Sequence, residues 1–437
     1  MSLGADNALR LWDGTLEDDW LGRRSYVVRC TAKNANSGPE NDMQDRDVEY
    51  CTFREITALV VTWNAGAATP THLRQEESDP QFFHTLLDTA APPDIVVFGF
   101  QELVDLEDKK LTASSKKKEP QEQEHMSHQY RAWRDYLVRC IEDSTPAEEP
   151  YHLLHTSSMV GLFSCVIVKA SQRNRIRNVN AAEIKRGMGG LHGNKGALVL
   201  RFVLDDSSVC LVNCHLAAGQ TQTAHRNNDL TAILESAVLP ADQSSITSGE
   251  IYVGGGDGSM ILDNEICILN GDLNYRIDTM GRDTVVKAVN ANNFTKLLER
   301  DQLLVSRRRN PTFPVRAFKE CPITFAPTYK YDVGFDRYDT SEKRRAPAWC
   351  DRILYRGTGK VKQVEYRRHE LWVSDHRPVS GLFKMRIKTI STEKRARARK
   401  DSEERFRKAK ERMATEAKIQ YLRDVLGVPP AEAKRLL

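Results

Sequence analysis

Short apolar runs, each stopping at a side chain able to hold a proton, a cation or a phosphate, are the feature that most limits what this chain can fold into. Residues 266–269 read Ile-Cys-Ile-Leu, and Asn270-Gly271-Asp272-Leu273-Asn274-Tyr275-Arg276 follows directly. An apolar run of this length ended by a glycine turn predicts a buried strand that presents Asp272 and Asn274 at its C-terminal end. The pattern recurs. Residues 56–63 are dense in β-branched side chains and stop at Asn64-Ala65-Gly66, residues 94–100 stop at Gln101-Glu102, and residues 209–214 stop at His215. Such a chain predicts an α/β (α+β) protein whose chemistry lies along one strand edge.

The remaining segments fill in that scaffold. A helix is expected over residues 79–91, closed by Pro92-Pro93, and another over 128–142. The charged stretch 105–125 lacks aromatics and reads as a solvated insertion. Strands are expected over 160–169 and 197–203. Between them Arg186-Gly187-Met188-Gly189-Gly190-Leu191-His192-Gly193-Asn194-Lys195-Gly196 carries five glycines. It reads equally as a loop whose backbone approaches an anion, with Lys195 as the point charge, or as a hairpin tip. Residues 249–259 read as a Gly-rich loop insertion, and helices follow over 281–300. Near the end of the core, Lys343-Arg344-Arg345 leads into a strand carrying Asp351, and Ser374-Asp375-His376 leads into the last strand. From 391 to 426 the pattern is helical, with Phe406, Ala409, Met413, Ala417, Tyr421 and Val425 as an apolar stripe at spacings of three and four.

Composition narrows the function classes. With 437 residues and 40% hydrophobic content the chain can bury a large core. No stretch is long and apolar enough to span a bilayer, and the first residues lack the apolar core of a signal peptide, so a cytoplasmic protein is expected. Nine cysteines without CxxC spacing read as reduced core thiols. From residue 384 onward 17 Lys and Arg face 8 Asp and Glu, giving the tail a net +9 while residues 1–383 carry −5. A nucleic-acid binder is more often basic throughout, so no nucleic-acid partner is expected.

Strand ends therefore present Asn64, Glu102, His215, Asp272, Asn274, Asp351 and His376, with Lys195, Arg276, Lys343 and Arg345 on loops. One Glu among amides and waters suits Mg²⁺, which keeps several waters and needs few carboxylates. No Ser or Cys nucleophile stands beside a base. Metal-assisted in-line attack of water on a phosphate ester is the economical chemistry. Taken alone, Asp272-x-Asn274 is equally a structural turn.

The motifs Trp63-Asn64-Ala65-Gly66, Gln101-Glu102, Gly193-Asn194-Lys195-Gly196, Asn213-Cys214-His215-Leu216, Gly271-Asp272-Leu273-Asn274-Tyr275-Arg276, Pro347-Ala348-Trp349-Cys350-Asp351-Arg352-Ile353 and Ser374-Asp375-His376-Arg377-Pro378-Val379 resemble, in order, the signature of the inositol polyphosphate 5-phosphatases. The likeness is greatest to the synaptojanin-type and type II members. It implies a four-layered, DNase I-like sandwich of two packed, mainly antiparallel sheets flanked by helices, over about residues 55–388. It implies further that Glu102 with Asn64 holds Mg²⁺, that Asp272 activates or orients water, and that Asn274, His215 and His376 stabilise the transferred phosphate. In this reading Asp351 fixes the His376 ring, Asp375 completes the Ser-Asp-His turn, Asn194 and Lys195 line the substrate side, and Tyr275, Arg276, Lys343 and Arg345 grip a neighbouring 4-phosphate. The loop 188–192 faces the membrane in lipid-acting members.

The resemblance thus implies a Mg²⁺-dependent phosphatase that removes the 5-phosphate of phosphatidylinositol 4,5-bisphosphate, extending to the 3,4,5-trisphosphate and soluble inositol phosphates, at the cytoplasmic face of a membrane. A nuclease of the same fold and a non-catalytic phosphoinositide-binding module are the alternatives. Residues 1–54 form an N-terminal extension in which Leu9-Arg10-Leu11-Trp12-Asp13 resembles the end of a WD-type repeat. Residues 389–437 form a basic helical extension suited either to an anionic membrane or to a protein partner.

Overall fold

A computed structural model describes residues 2–3, 9–10, 43, 46–74, 81–87, 92–104, 120–242, 251–253, 256–426 and 429. The Trp-Asp of the WD-like match, most of the 105–125 insertion and part of the 240–262 insertion lie outside the described residues.

Two sheets form the centre. The first has six strands in the order β10-β11-β1-β2-β4-β3, from β1 (Cys51–Asn64), β2 (Ile95–Gln101), β3 (Tyr151–Met159), β4 (Leu162–Lys169), β10 (Val361–Arg368) and β11 (Val379–Ile390). The second has five in the order β9-β8-β7-β6-β5, from β5 (Ile176–Gly187), β6 (His192–Leu204), β7 (Ser207–His215), β8 (Ile266–Asp272) and β9 (Asp351–Arg356). Each sheet has one parallel pair, β1 with β2 and β7 with β8, and the other neighbours are antiparallel.

Period-two alternation explains the layering. Ile56, Ala58 and Val60 of β1 pack between the sheets with Phe202, Leu211, Ile268 and Phe383. Leu59, Val61 and Trp63 of the same strand point the other way. They meet α2 (Phe82–Leu87) and α3 (Pro120–Ser144) through Phe83, Leu86, Trp133 and Leu137. The outer face of the second sheet is covered likewise: Val212, Cys214 and Leu269 meet Leu230 and Ile233 of α4 (Thr223–Glu235) and Leu303 of α7 (Gln302–Arg309). Both faces of the central strands are therefore buried, which is why they read as unbroken apolar runs. Helices α5 (Arg282–Asn290) and α6 (Phe294–Leu298) follow β8.

The fold is the sandwich the motifs imply, with differences of detail. Edge strands β3, β5 and β10 have no counterpart among the expected strands, because a strand paired on one side and wetted on one face needs little apolar patterning. The glycine-rich stretch forms the two arms and tip of the β5–β6 hairpin, its turn at Met188–Gly190. That favours the hairpin reading, with Lys195 carried on β6.

The sequence expectation of a C-terminal helix holds as α8 (Thr392–Leu426). Its first turns are tied down: Ala398 packs with Met43, Cys51, Ile390 and Tyr50 of α1 (Asp47–Tyr50), and Arg46 pairs with Asp401 at 2.9 Å. Farther along, Arg399–Glu403, Arg407–Glu411 and Lys408–Glu404 make exposed i,i+4 pairs. Such exposed pairs contribute little each.

One half-buried histidine generates a pH prediction. His369 lies 5.1 Å from the ring of Phe82 and bonds Ser380 Oγ through Nε2 at 2.7 Å. Burial, aided by the charge of Arg367, pushes its pKa down to about 4. Unfolded histidine titrates near ~6.5, so between those values the unfolded chain binds a proton that the folded chain refuses. Stability must fall as pH drops through that window, by up to about 3 kcal/mol from this group. His369→Gln keeps a partner for Ser380 and cannot titrate. Urea midpoints at pH 7 and pH 4.5 should show a smaller acid loss in His369→Gln than in the parent chain; equal losses would remove His369 as the cause.

Candidate active site

Strand register, more than sequence proximity, assembles the site. In the parallel pairs Asn64 stands opposite Gln101 and Asp272 opposite His215, so four strand ends meet on one rim. The antiparallel neighbours begin where those strands stop: Asp351 pairs with Asp272, and Gly196, just after Lys195, pairs with His215. Gly271 makes the approach possible. It has φ 144°, and a Cβ there would lie 2.0 Å from the carbonyl oxygen of Cys214.

At the centre is the buried carboxylate of Asp272. Asn64 Nδ2 donates to its Oδ2 at 3.0 Å and the Asn274 amide donates to its Oδ1 at 3.0 Å. His215 Nε2 lies 3.5 Å away and His376 Nε2 3.9 Å away. Burial opposes ionisation, but His215, His376 and Lys195 outweigh it and hold Asp272 well below the usual carboxylate range.

His376 is fixed from behind. Its Nδ1 meets Asp351 Oδ2 at 2.9 Å, and Thr328 Oγ1 donates to that same oxygen at 2.7 Å. Burial disfavours the imidazolium, yet Asp351 and then Asp272 raise the His376 pKa to about 9. Burial pushes Asp351 up from its ordinary value, with His376 pulling against it. The backbone is locked too, because Ser374 Oγ donates to the carbonyl of Asn64 at 2.7 Å and accepts from the His376 amide at 3.2 Å.

Glu102 closes the other side. It follows β2 with φ 52°, a left-handed conformation that an ordinary residue adopts only under constraint. That constraint is visible: the Ala65 and Ala67 amides donate to the carbonyls of Gln101 and Glu102, at 2.8 and 2.6 Å. The Glu102 carboxylate, a third exposed, lies 3.3 Å from His215 Nε2 and 4.0 Å from Lys195 Nζ. Burial works against its charge, but His215, Lys195 and His376 bring its pKa to about 2. Burial lowers the Lys195 pKa, with Glu102 and Asp272 opposing the shift.

Two donor sets could hold a cation. One ligand atom each from Asp272, Asp351 and His376 lie within 4.8 Å of one another. That set is poorly suited, since Asp351 and His376 already satisfy one another. Glu102 is the better ligand, because a partly open carboxylate leaves room for the waters a small divalent ion retains. Asn64 Oδ1 accepts from the Gly66 amide at 3.1 Å and has a second lone pair for the same ion.

The basic side chains divide. Arg276 donates through Nε to the carbonyl of Asn274 at 3.1 Å, and through Nη2 to Asn274 Oδ1. Its guanidinium sits 4.2 Å from the ring centre of Tyr329, which in turn lies 4.5 Å from the His376 ring, tilted by 39°. Burial raises the Tyr329 pKa, with Arg276 and then Arg345 pulling against it, and the Arg345 amide donates to Asp339 Oδ2 at 2.8 Å. Lys343 is exposed on the same loop. Asn194 is half-buried against Gly187. Asp375 accepts from Lys330 Nζ at 2.6 Å.

Tyr275 corrects the expected grip. Its side chain is fully buried and its hydroxyl donates to Asn227 Oδ1 at 2.7 Å, so it cannot touch a substrate phosphate. The reason is local: Asn274 has φ 57°, and this turn sends the next side chain into the core behind the rim. Thr328, Tyr329 and Lys330 were not found from the sequence. They lie in a Pro-Thr-Tyr-Lys-Tyr stretch without strand or helix period, and its aromatic and basic content was the one available signal. Asn213, part of a sequence motif but given no role there, lies under the rim, where its Oδ1 accepts from Gln101 Nε2 at 2.7 Å.

Comparison with known proteins agrees with this geometry. The family model for endonuclease/exonuclease/phosphatase family 2 matches residues 61–382. A probable inositol polyphosphate 5-phosphatase of Schizosaccharomyces pombe is 42% identical over 99% of this chain and 35% of its own length. A type I inositol polyphosphate 5-phosphatase of Arabidopsis thaliana is 34% identical over 76% of this chain and 71% of its own. The solved inositol polyphosphate 5-phosphatase domain of SPsynaptojanin, in complex with inositol (1,4)-bisphosphate and calcium ion, matches with a TM-score of 0.64 at 29% identity, covering 87% of this chain and 98% of that one. The chain spans about a third of the length of its S. pombe relative. With strand-end residues, sheet order and relatives in agreement, the chain belongs to the inositol polyphosphate 5-phosphatases within endonuclease/exonuclease/phosphatase family 2.

Proposed function

We propose that the chain is a Mg²⁺-dependent phosphatase, with residues 55–388 as its catalytic unit, that hydrolyses the 5-phosphate of phosphatidylinositol 4,5-bisphosphate at a cytoplasmic membrane surface. The 3,4,5-trisphosphate and soluble inositol polyphosphates are substrates of the same site. The observation that carries this reading is the gap between Asp272 Oδ2 and His376 Nε2, 3.9 Å across, with an ionised carboxylate on one side and an imidazolium on the other.

In that gap Asp272 orients the attacking water and receives its proton as the P–O bond to the inositol 5-oxygen breaks, His376 donates a hydrogen bond to a phosphoryl oxygen as negative charge gathers there, and the released 5-oxygen takes its proton from solvent water. Asp351 keeps the imidazolium turned toward the phosphate. Asn64 and the Asn274 amide each fix one oxygen of the Asp272 carboxylate, and Lys195 adds positive charge on the His215 side. Glu102 with Asn64 would hold Mg²⁺, which when bound supplies charge neutralisation on the phosphate oxygens. Attack by a protein thiol is disfavoured because burial pushes Cys350 and Cys214 well above the ordinary thiol range.

Arg276 and Arg345 beside Tyr329, with Lys343 and Lys330 on the adjoining loops, support recognition of a second phosphate next to the one removed. Met188 and Leu191, 73% and 80% exposed on the β5–β6 tip, support contact with acyl chains or headgroups. No helix among the described residues is long and apolar enough to cross a membrane. The acidic balance of residues 1–383 weighs against a nuclease, and the intact residue set at the rim weighs against a purely binding role.

Phosphate release from vesicles containing the 4,5-bisphosphate, the 5-monophosphate or the 4-monophosphate should be fastest for the first and absent for the last, and should stop with EDTA. Glu102→Gln should cost about 10²-fold or more in kcat. Equal turnover of the 5-monophosphate would remove the second-phosphate grip, and cleavage of DNA in its place would favour the nuclease.

A second measurement addresses the imidazolium without turnover. In proton NMR titrations His376 should change charge near pH 9, and in Asp351→Asn it should do so more than one unit lower. An unmoved midpoint would show that Asp351 does not hold the charge.

A further inference from the structure

We infer that Gln302 is a positioning residue: one side chain holds the main chain of Arg276, and through it the guanidinium beside Tyr329 and the amide of Asn274. The inference rests on the proposed reading of the rim for its kinetic consequence, but not for its geometry.

Gln302 opens α7 and is buried. Its backbone amide donates to the carbonyl of Arg276 at 2.9 Å, and its Oε1 accepts from the amide of Arg276 at 3.0 Å. Both polar groups of that main-chain unit are thus satisfied by a single residue. Oε1 also accepts from Arg226 Nη2 at 2.5 Å, while Nε2 donates to the carbonyl of Gln220 at 2.9 Å and to Asp278 Oδ1 at 2.5 Å. Two acceptances and two donations exhaust what a carboxamide offers.

These partners belong to the two loops that leave the rim. Arg226 binds the carbonyls of Ala217 and Gly219 at 3.0 and 2.7 Å, on the loop that follows His215. Asn274 Nδ2 binds the carbonyl of Leu216 on that loop at 3.1 Å. Gln302 therefore joins the segment after β7 to the segment after β8, at the turn where Arg276 is aimed. The start of α7 is itself anchored from the strand carrying Asp351. Arg352 Nη1 contacts both carboxylate oxygens of Asp301 at 3.1 Å, and Asp301 caps the helix by accepting from the Leu304 amide at 3.0 Å. A path of direct bonds runs from Arg352 through Asp301 and Gln302 to Arg276, whose guanidinium faces Tyr329 and His376.

A core amide that merely stabilises the fold would lower the melting temperature and leave each folded molecule equally active. A positioning residue does more, since displacing a catalytic or binding group by an ångström can cost ~10²-fold. The test is Gln302→Met, alone and in an Arg276→Lys background, with the side-chain Nε–H resonance of Arg276, assigned by its loss in Arg276→Lys, as the first readout. In the parent chain that resonance should be shifted upfield by the Tyr329 ring, whose centre lies 4.2 Å from the guanidinium.

In Gln302→Met the shift should collapse and kcat should fall about 10- to 100-fold with KM changed less than about threefold. In the Arg276→Lys background the same substitution should cost less than about threefold, because residues acting through one another are not additive. An unmoved Arg276 resonance, or equal losses in the two backgrounds, overturns the inference. Should Gln302→Met fail to fold, Gln302→Asn keeps a carboxamide but is one methylene too short to reach the Arg276 amide. Its Arg276 resonance should move as in Gln302→Met, and an unmoved resonance overturns the inference as well. Absence of phosphatase activity in the parent chain would refute the proposed function, while the resonance still decides the role of Gln302.

Discussion

A negative charge buried at the meeting point of two sheets is what the rest of this structure serves. An isolated carboxylate in such a place would take up a proton, because desolvation disfavours the ion. Asp272 is kept ionised against that penalty by His215, His376 and Lys195, while Asn64 and the Asn274 amide donate to its two oxygens. The neighbouring residues follow from that need. Asp351 is present because His376 must stay charged, and Thr328 is present because Asp351 is fully buried and must be satisfied.

The two sheets approach closely under the rim because one position lacks a side chain. Gly99, in the middle of β2, faces Asn270 and Asn213 of the second sheet, and a Cβ there would lie 2.1 Å from Asn270 Nδ2. Asn213 donates across the gap to the carbonyls of Phe100 and Phe163, at 3.2 and 2.9 Å. A polar layer in an otherwise apolar interface contributes little net stability, but it permits few alternative registers. Register is what counts here, since a slip of one residue would turn Asp272 or Asn64 to the opposite face.

The C-terminal helix lies at the other end of this architecture. β11 starts beside His376 and runs 12 residues to Ile390, where α8 begins. At ~3.3 Å per residue that places the root of the helix roughly 40 Å from the rim along the strand. Its alternating charges pair along its own surface, so it gains modest support from itself.

Much of this could be read in the linear chain. Strands buried on both faces leave unbroken apolar runs, and a functional side chain at a strand end must directly follow such a run, so Asn64, Glu102, His215 and Asp272 were legible. Edge strands such as β3 and β10 were not, because pairing rather than composition creates them. The destination of Tyr275 was also invisible. A left-handed Asn274 reverses the expected alternation, and only its neighbours in space show that the ring goes to Arg226 and Asn227. The same holds for Gln302, an ordinary helix-start residue by sequence, whose four hydrogen bonds reach segments as far as 82 positions away. Sequence alone determined which residues have the chemistry for phosphate transfer and that they sit at strand ends. Tertiary structure decided which of them share a pocket, because distances across two packed sheets depend on register and on glycines that let backbones touch.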